Sequence, residues 1–504
     1  MRDPRELNRR ELLELGIAAG LSAGLLGATR AQDAPTTSTA GRPRNIVFMV
    51  ADGMSLGVPS LAEPFSQLVR ETGTAWAALL RDPRNTLGFF DTGSLNSPVT
   101  DSAAASTAWS SGSRVFNGFL NVLPDGTTLT PIGALVHDAG LRMGLVTTTT
   151  VTHATPAGFA AVQTNRGDEQ LIAPQYLDRV DVILGGGRKF FDAARRKDGH
   201  DLIGEFVGRG YTFWEQRGQL TGSARPPRVL GLFDDGHLPY TIDQRNTAEL
   251  AQRVPTLAEM TQAALELLAA GDRGFVLQVE GGRVDHAAHG NDAAALLWDQ
   301  LAFDDAIAAV VAFARRRGDT LVVITSDHGN ANPGLNGMGG GYGASQRCLA
   351  RLTRATMSLD RLACDLRPGR DQPALPAERV IELVRVAQGV DISREHADVL
   401  RNVAAGAATA ALNAQRAGLL AVLGEILANH NGVSWTGVSH TQDLTLVTAL
   451  GPGAERFAGL RQNAEAFEPL TALLDIHHQN PRMSTEQAQR YAAAAPEHLP
   501  PDWA

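Results

Sequence analysis

The stretch NIVFMVADG, Asn45 to Gly53, reads as a buried strand that breaks into a loop at Asp52 and Gly53. Five more apolar runs of this kind follow it: GLVTTTTV (Gly144–Val151), VDVILGGG (Val180–Gly187), GFVLQVEGG (Gly274–Gly282), TLVVITSDHG (Thr320–Gly329) and LTLVTALG (Leu444–Gly451). Helical patterns fill the gaps between them. Thr256 and Glu259 form a capping-box signature ahead of an amphipathic run to about Ala270. Asp292 to Arg317 reads as another helix, with Leu297, Leu301, Ile307, Val310 and Val311 as its buried stripe. Strands alternating with helices predict an α/β fold around a largely parallel sheet.

The 504 residues allow one large domain with an insertion, or two domains. With 43% hydrophobic and 20% charged residues the composition is that of an ordinary globular chain, and a net charge of −9 argues against a nucleic-acid groove. Cys348 and Cys364 are too few for a disulfide scaffold or a thiolate metal site. Between Gly329 and His430 the texture changes to a Gly/Asn-rich piece followed by Ala/Leu/Arg-rich helical runs, which predicts a mostly helical insertion over 331–431. The catalytic α/β domain would then comprise 45–330 and resume over 432–504.

The N-terminus carries LNRRELLELGIAAGLSAGLLGATRAQ, Leu7 to Gln32. Arg9 and Arg10, a short apolar Gly/Ala-rich segment and small residues up to Ala31 have the form of a twin-arginine export signal over 1–31; an amphipathic first helix is the other reading. Residues 32–44 would be a flexible lead. The apolar run is too short and interrupted for a good membrane span, and no second one follows, so the mature chain is expected to lack a stable span. The expected location is periplasmic or extracellular.

Polar residues recur where the strands end: Asp52, His153, Glu280, Asp285, Asp327 and His328. Open α/β sheets place ligands there. Asp285 and His289 are four apart, so on a helical turn they share a face, and a carboxylate with an imidazole suits zinc or a similar metal. Asp327 and His328 are adjacent, and His440 lies beyond the insertion. Each pair alone is equally a hydrogen-bonded turn. Taken together, uncompensated buried charges would cost several kcal/mol each, roughly, which points to a polynuclear metal site. PVTDSAAASTAWSSG, Pro98 to Gly112, starts a helix with Asp101 beside Ser102. Small residues there serve close packing, or else Ser102 is a nucleophile where free N–H groups attract an anion. A metal cluster beside such a hydroxyl points to phosphoryl-type transfer.

The chain resembles the bacterial alkaline phosphatases through VADG, VTDSAAASTAWSSG, VTHATPAGFAA with Arg166, VEGGRVDHAAHGND, SDHG and SHT. That resemblance implies a three-layer αβα sandwich with a large, mostly parallel central sheet, and metal-dependent hydrolysis of phosphate monoesters to alcohol and inorganic phosphate with an alkaline optimum. It implies Ser102 as the residue that becomes phosphoserine and Arg166 as the clamp on phosphate oxygens. Asp285, His289 and His440 would ligate one Zn2+; Asp52, Asp327 and His328 a second; Asp52, Thr155 and Glu280 a third ion, normally Mg2+. It also implies a homodimer. His153 and His286 stand where some bacterial relatives carry aspartate and lysine, beside the third ion and near the substrate side respectively, with Asp101 adjoining the nucleophile. FDDGHLPY, with Asp234, Asp235 and His237, reads as structural. The rival readings are a phosphodiesterase on the same scaffold and a non-catalytic metal- or phosphate-binding protein.

Overall fold

The computed structural model of the protein describes residues 41–494 apart from 223–224, 340, 371 and 409–412. The expected export signal therefore lies outside the described residues. In chain order the strands are β1 (Asn45–Val50), β2 (Thr86–Asp91), β3 (Arg142–Thr150), β4 (Val182–Gly186), β5 (Thr212–Trp214), β6 (Val229–Leu232), β7 (Phe275–Glu280), β8 (Thr320–Thr325), β9 (Gly329–Asn330), β10 (Gly334–Leu335), β11 (Val433–Ser434), β12 (His440–Thr441), β13 (Thr445–Leu450) and β14 (Gly459–Gln462). Ten of them form one sheet in the order β14-β2-β13-β8-β1-β7-β3-β4-β6-β5. Every ladder in it is parallel except those of β13, which runs antiparallel to both β2 and β8. All six apolar runs singled out from the sequence are strands of this sheet.

Why the sheet is covered on both faces is legible in β1. Val47 and Met49 belong to one apolar cluster, while Ile46, Phe48 and Val50 belong to another on the opposite face. Side chains alternate along a strand, so an unbroken apolar run needs a partner layer on each side. One layer contains α3 (Leu257–Ala269) and α5 (Ala293–Arg317); the other contains α1 (Ser102–Ser111) and α2 (Ala154–Ala160). α3 starts with the expected Thr256/Glu259 capping box. α5 differs from its expected stripe. From Ala293 to Leu301 it is buried all round, because α4 (Arg283–His289) and neighbouring helices wrap it.

The chain between β10 and β11 is helical, including α6 (Leu359–Leu366), α7 (Ala377–Gln388), α8 (Arg394–Ala404) and α9 (Leu419–Asn431). These helices enclose an apolar cluster of their own around Leu362, Val380, Val384, Leu400 and Leu423. Cys348 is buried and Cys364 exposed, and both are free. Among the described residues no helix is long and apolar enough to cross a membrane.

Candidate metal and nucleophile site

The central strands end level with one another. Val50 pairs with both Thr325 and Glu280, and Glu280 with Thr147. The loops that leave β1, β3, β7 and β8 therefore begin on one plane and converge over it. Gly53, at φ +64°, donates its N–H to Asp327 Oδ1 at 2.9 Å. A Cβ at Gly53 would stand 2.1 Å from Asp285 Oδ1. Only glycine takes this conformation freely and leaves the carboxylate its place.

Three donor groups result, each with its ligand-type atoms within 4.8 Å of one another: Asp285, His289 and His440; Asp52, Asp327 and His328; Asp52, His153 and Glu280. In the first, α4 carries Asp285 and His289 on one face, with His289 Nε2 3.2 Å from Asp285 Oδ2 and 3.2 Å from His440 Nε2. His440 arrives on β12, which pairs with Asn330 of β9, just after His328. In the second, His328 Nε2 is 3.1 Å from Asp327 Oδ2 and 3.7 Å from Asp52 Oδ1. In the third, Thr155 Oγ1 reaches Asp52 Oδ2 at 3.4 Å, and Glu280 Oε2 accepts from Thr147 and Thr149.

The proton positions follow from the backbone. His289, His328 and His440 each place Nδ1 against a carbonyl oxygen, of Val438, Gly329 and Thr100 respectively. In the neutral imidazoles Nδ1 then carries the proton, leaving a lone pair on each Nε2 inside the cluster. Two such lone pairs face each other between His289 and His440. Asp52 Oδ1, Asp327 Oδ2 and Glu280 Oε1 are buried without a hydrogen-bond partner. Facing lone pairs and orphaned carboxylate oxygens in one buried cluster fit cations, and nitrogen/oxygen donor sets fit zinc or magnesium.

Ser102 is the first residue of α1, and its Oγ lies 3.2 Å from His328 Nε2. Asp101 caps that helix through Ala104 N–H at 2.9 Å, while its Oδ2 accepts from Gly118 N–H at 2.9 Å and from Arg166 at 3.1 Å. The other terminal nitrogen of Arg166 donates to His153 Nε2 at 3.0 Å. The guanidinium, 4% exposed, is thus fixed at both tips, one of them on Asp101, the chain neighbour of Ser102. Because His153 Nε2 accepts this bond, a neutral His153 keeps its proton on Nδ1, which faces Asp52 and Glu280 at 4.0 and 3.9 Å. At those distances Nδ1 makes no hydrogen bond to either carboxylate, and it stays without a partner beside Glu280 Oε1.

Charges in the cluster are strongly perturbed. Burial, then the carboxylates of Asp327, Asp285 and Glu280, push Asp52 well above the usual range. Burial opposes ionisation of Asp285 as well, yet His289, His440 and His328 hold it well below. Asp327 drops to about 2, against its burial, because His328 adjoins it; reciprocally His328 rises despite burial. His440 falls to about 3 through burial and then the charge of His328. One carboxylate forced up and two forced down within one cluster is the signature of a functional site.

All the residues expected at the site converge on it, together with others not anticipated. His237, read as structural, accepts the Thr150 N–H at 3.0 Å, and its ring lies 5.7 Å from His153 and 4.6 Å from His286. Arg283 donates to His286 Nδ1 at 2.7 Å and stacks on Tyr240. Burial first, then neighbouring imidazole and guanidinium charges, lower both His286 and His237 well below the usual histidine range, so they are neutral at pH 7. Asn330 donates to Asp285 Oδ1 at 2.7 Å. Only the adjacency of Asn330 to SDHG hinted at its part.

Comparison with known proteins agrees with this geometry. The family model described as alkaline phosphatase matches residues 43–476. Alkaline phosphatase 4 of Bacillus subtilis is 29% identical over 90% of this chain and 95% of its own length. Streptomycin-6-phosphate phosphatase of Streptomyces griseus is 35% identical over 62% of this chain and 80% of its own. The crystal structure of Thermus thermophilus alkaline phosphatase superposes with a TM-score of 0.84 at 36% identity, covering 93% of this chain and all of that one.

Proposed function

The chain belongs to the alkaline phosphatase family and hydrolyses phosphate monoesters, and on that premise we propose that Ser102 is its nucleophile and Arg166 its phosphate clamp. The observation that carries this reading is the placement of Ser102 Oγ at the start of a buried helix, 3.2 Å from His328 Nε2, with a guanidinium fixed on its chain neighbour Asp101. The family is metal-dependent, and three donor groups in the structure suit cations. Asp285, His289 and His440 would hold one Zn2+, Asp52, Asp327 and His328 a second, and Asp52, Thr155 and Glu280 one Mg2+. When bound, such ions supply Lewis-acid stabilisation of the attacking and leaving oxygens of an in-line displacement.

Ser102 Oγ gives up its proton and attacks phosphorus, and the alcohol departs on the far side as the ester P–O bond breaks and its oxygen takes a proton. Water then attacks the phosphoserine, the Oγ–P bond breaks, and Ser102 recovers its proton as phosphate leaves. Arg166 directs its planar fork at two non-bridging oxygens through both displacements, a geometry that suits the dianion of a monoester. Backbone N–H groups at the start of α1 add to the anion site. Asp101 holds Arg166 in register with Ser102, and His286, neutral and with Nε2–H buried, lines the substrate side with His153.

Export by the twin-arginine route to the periplasm or beyond is proposed from Arg9 and Arg10 and the apolar segment after them. The homodimer rests on the family resemblance, and light scattering of the purified chain tests it. Activity is tested on zinc- and magnesium-loaded protein with p-nitrophenyl phosphate, bis-p-nitrophenyl phosphate and p-nitrophenyl sulfate from about pH 7 to 11. Monoester turnover that rises with pH and greatly exceeds the other two supports the reading. Dominant diester turnover would reassign the clamp, and metal binding without turnover would leave a binding protein.

A further inference from the structure

We propose that Asn291 is a positioning residue for the donor group Asp285, His289 and His440, and that Gly424 in the helical segment between β10 and β11 holds it in place. The inference rests on reading that group as a metal site.

Asn291 lies two residues beyond His289 and is 1% exposed. Its backbone is left-handed, at φ 48°. Its side-chain Nδ2 donates twice, to Ala288 O at 3.1 Å within α4 and to Gly437 O at 2.9 Å in the loop that carries His440. Both partners are carbonyl acceptors, so the orientation of the amide is fixed by chemistry. The neighbouring carbonyl, Val438 O, meets His289 Nδ1. Two consecutive carbonyls of the 437–440 loop are therefore gripped from the end of α4, one by a ligand and one by Asn291. His289 and His440 are 151 residues apart in sequence, and these two bonds join the pairing of β12 with β9 and the Thr100 contact of His440 in setting the distance between them.

α9 presses on this joint from outside. A Cβ at Gly424 would stand 2.6 Å from Asn291 Cβ and 2.8 Å from its carbonyl oxygen, so backbone packs directly on backbone. The next residue, Asp292, caps α5 through Ala295 N–H and also accepts Leu359 N–H at 2.6 Å, at the start of α6. Asp243 accepts the adjacent Ser358 N–H at 2.9 Å. Among its contacts with the α/β layers, the helical segment thus meets the two residues that follow the His289 turn, a placement that makes it a brace for the first donor group.

Outer partners of metal ligands typically change affinity by about 10–100-fold when removed. The test is zinc affinity by chelator competition, metal content per chain, and the visible spectrum of Co2+-substituted protein, on Asn291→Asp, Asn291→Ala, Gly424→Ala and Gly418→Ala. Asp tolerates the left-handed backbone but cannot donate to Gly437 O, so Asn291→Asp separates the hydrogen bond from the backbone conformation. A Cβ at Gly418 meets nothing within 4 Å, which makes Gly418→Ala the control in the same segment. The expected result is a loss of roughly tenfold or more in affinity for one ion in Asn291→Asp, Asn291→Ala and Gly424→Ala, with an altered Co2+ spectrum. The remaining ions stay bound, and Gly418→Ala behaves as the parent. Unchanged affinity in Asn291→Asp and Gly424→Ala overturns the proposal, as does a uniform weakening of all ions. His289→Ala with full metal content would instead overturn the underlying reading of the site.

Discussion

Gly53→Ala is the sharpest probe of how the first donor group is built. The new Cβ would sit 2.1 Å from Asp285 Oδ1, where ordinary contact begins at 3.4 Å. The carboxylate must retreat by roughly an ångström, whereas a metal–ligand distance tolerates only about 0.2 Å. Asp285 has little room to do so, since it is 5% exposed and held by Asn330 Nδ2 at 2.7 Å. An alanine in the left-handed region adds about 1–2 kcal/mol of backbone strain. We expect a modest fall in Tm, selective loss of one ion, and about a hundredfold loss in kcat/KM, equivalent to about 2.7 kcal/mol. Gly126 also has positive φ, at +87°, but a Cβ there meets nothing within 4 Å. Gly126→Ala therefore isolates the strain and should keep its metals and its rate. Metal content after gel filtration, chelator competition and p-nitrophenyl phosphate turnover measure these effects. A Gly53→Ala protein with full metal content and parental turnover would refute the argument that Asp285 is a ligand whose place depends on Gly53.

Ser102→Ala should abolish the phosphoenzyme, detected as label retained on acid-quenched protein, and lower kcat by about a thousandfold or more while metals stay bound. Arg166→Ala removes two charge-assisted bonds worth about 1.5–3 kcal/mol each, so kcat/KM should fall about 10²–10⁴-fold; Arg166→Lys keeps the charge but not the fork and should recover only part of this. Chelation should lower Tm by several degrees, with recovery on adding zinc, because ions that bind only the folded chain stabilise it and that contribution is lost with them. Away from the site, burial raises Asp299 to about 7 from its ordinary value near 3.8. Between these values the folded chain keeps a proton that the unfolded chain has released, so this group's contribution to stability declines as pH rises from about 4 to 7 and is flat above. Denaturant midpoints of Asp299→Asn should show a shallower decline over that window than the parent.

Much of the site could be read from sequence because open α/β sheets turn chain order into position. An apolar run that ends in Asp52, in Glu280 or in Asp327 and His328 places those groups at the carboxyl edge, and the i,i+4 spacing of Asp285 and His289 places them on one face of α4. The covered faces of β1 likewise followed from its unbroken apolar run. Strands β2 and β14 escaped notice because they lie at one edge of the sheet with exposed residues such as Phe89 and Leu460, so no continuous apolar pattern marks them. Nothing local states that β13 runs antiparallel, since direction depends on where the connection enters the sheet. The parts of Asn291, Asn330, Arg283 and His237 are similar cases. Each acts through one or two hydrogen bonds or ring contacts to residues made neighbours by folding, and a lone amide, guanidinium or imidazole has no periodicity to announce its partner. By itself the sequence determined the alternation of strands and helices and singled out Ser102 and the candidate donors, because burial patterns and ligand chemistry are carried by residue type. The tertiary structure alone decided which nitrogen of each histidine faces the cluster, and that Gly53 and Gly424 leave room for it, because both depend on carbonyls and backbones brought together from distant parts of the chain.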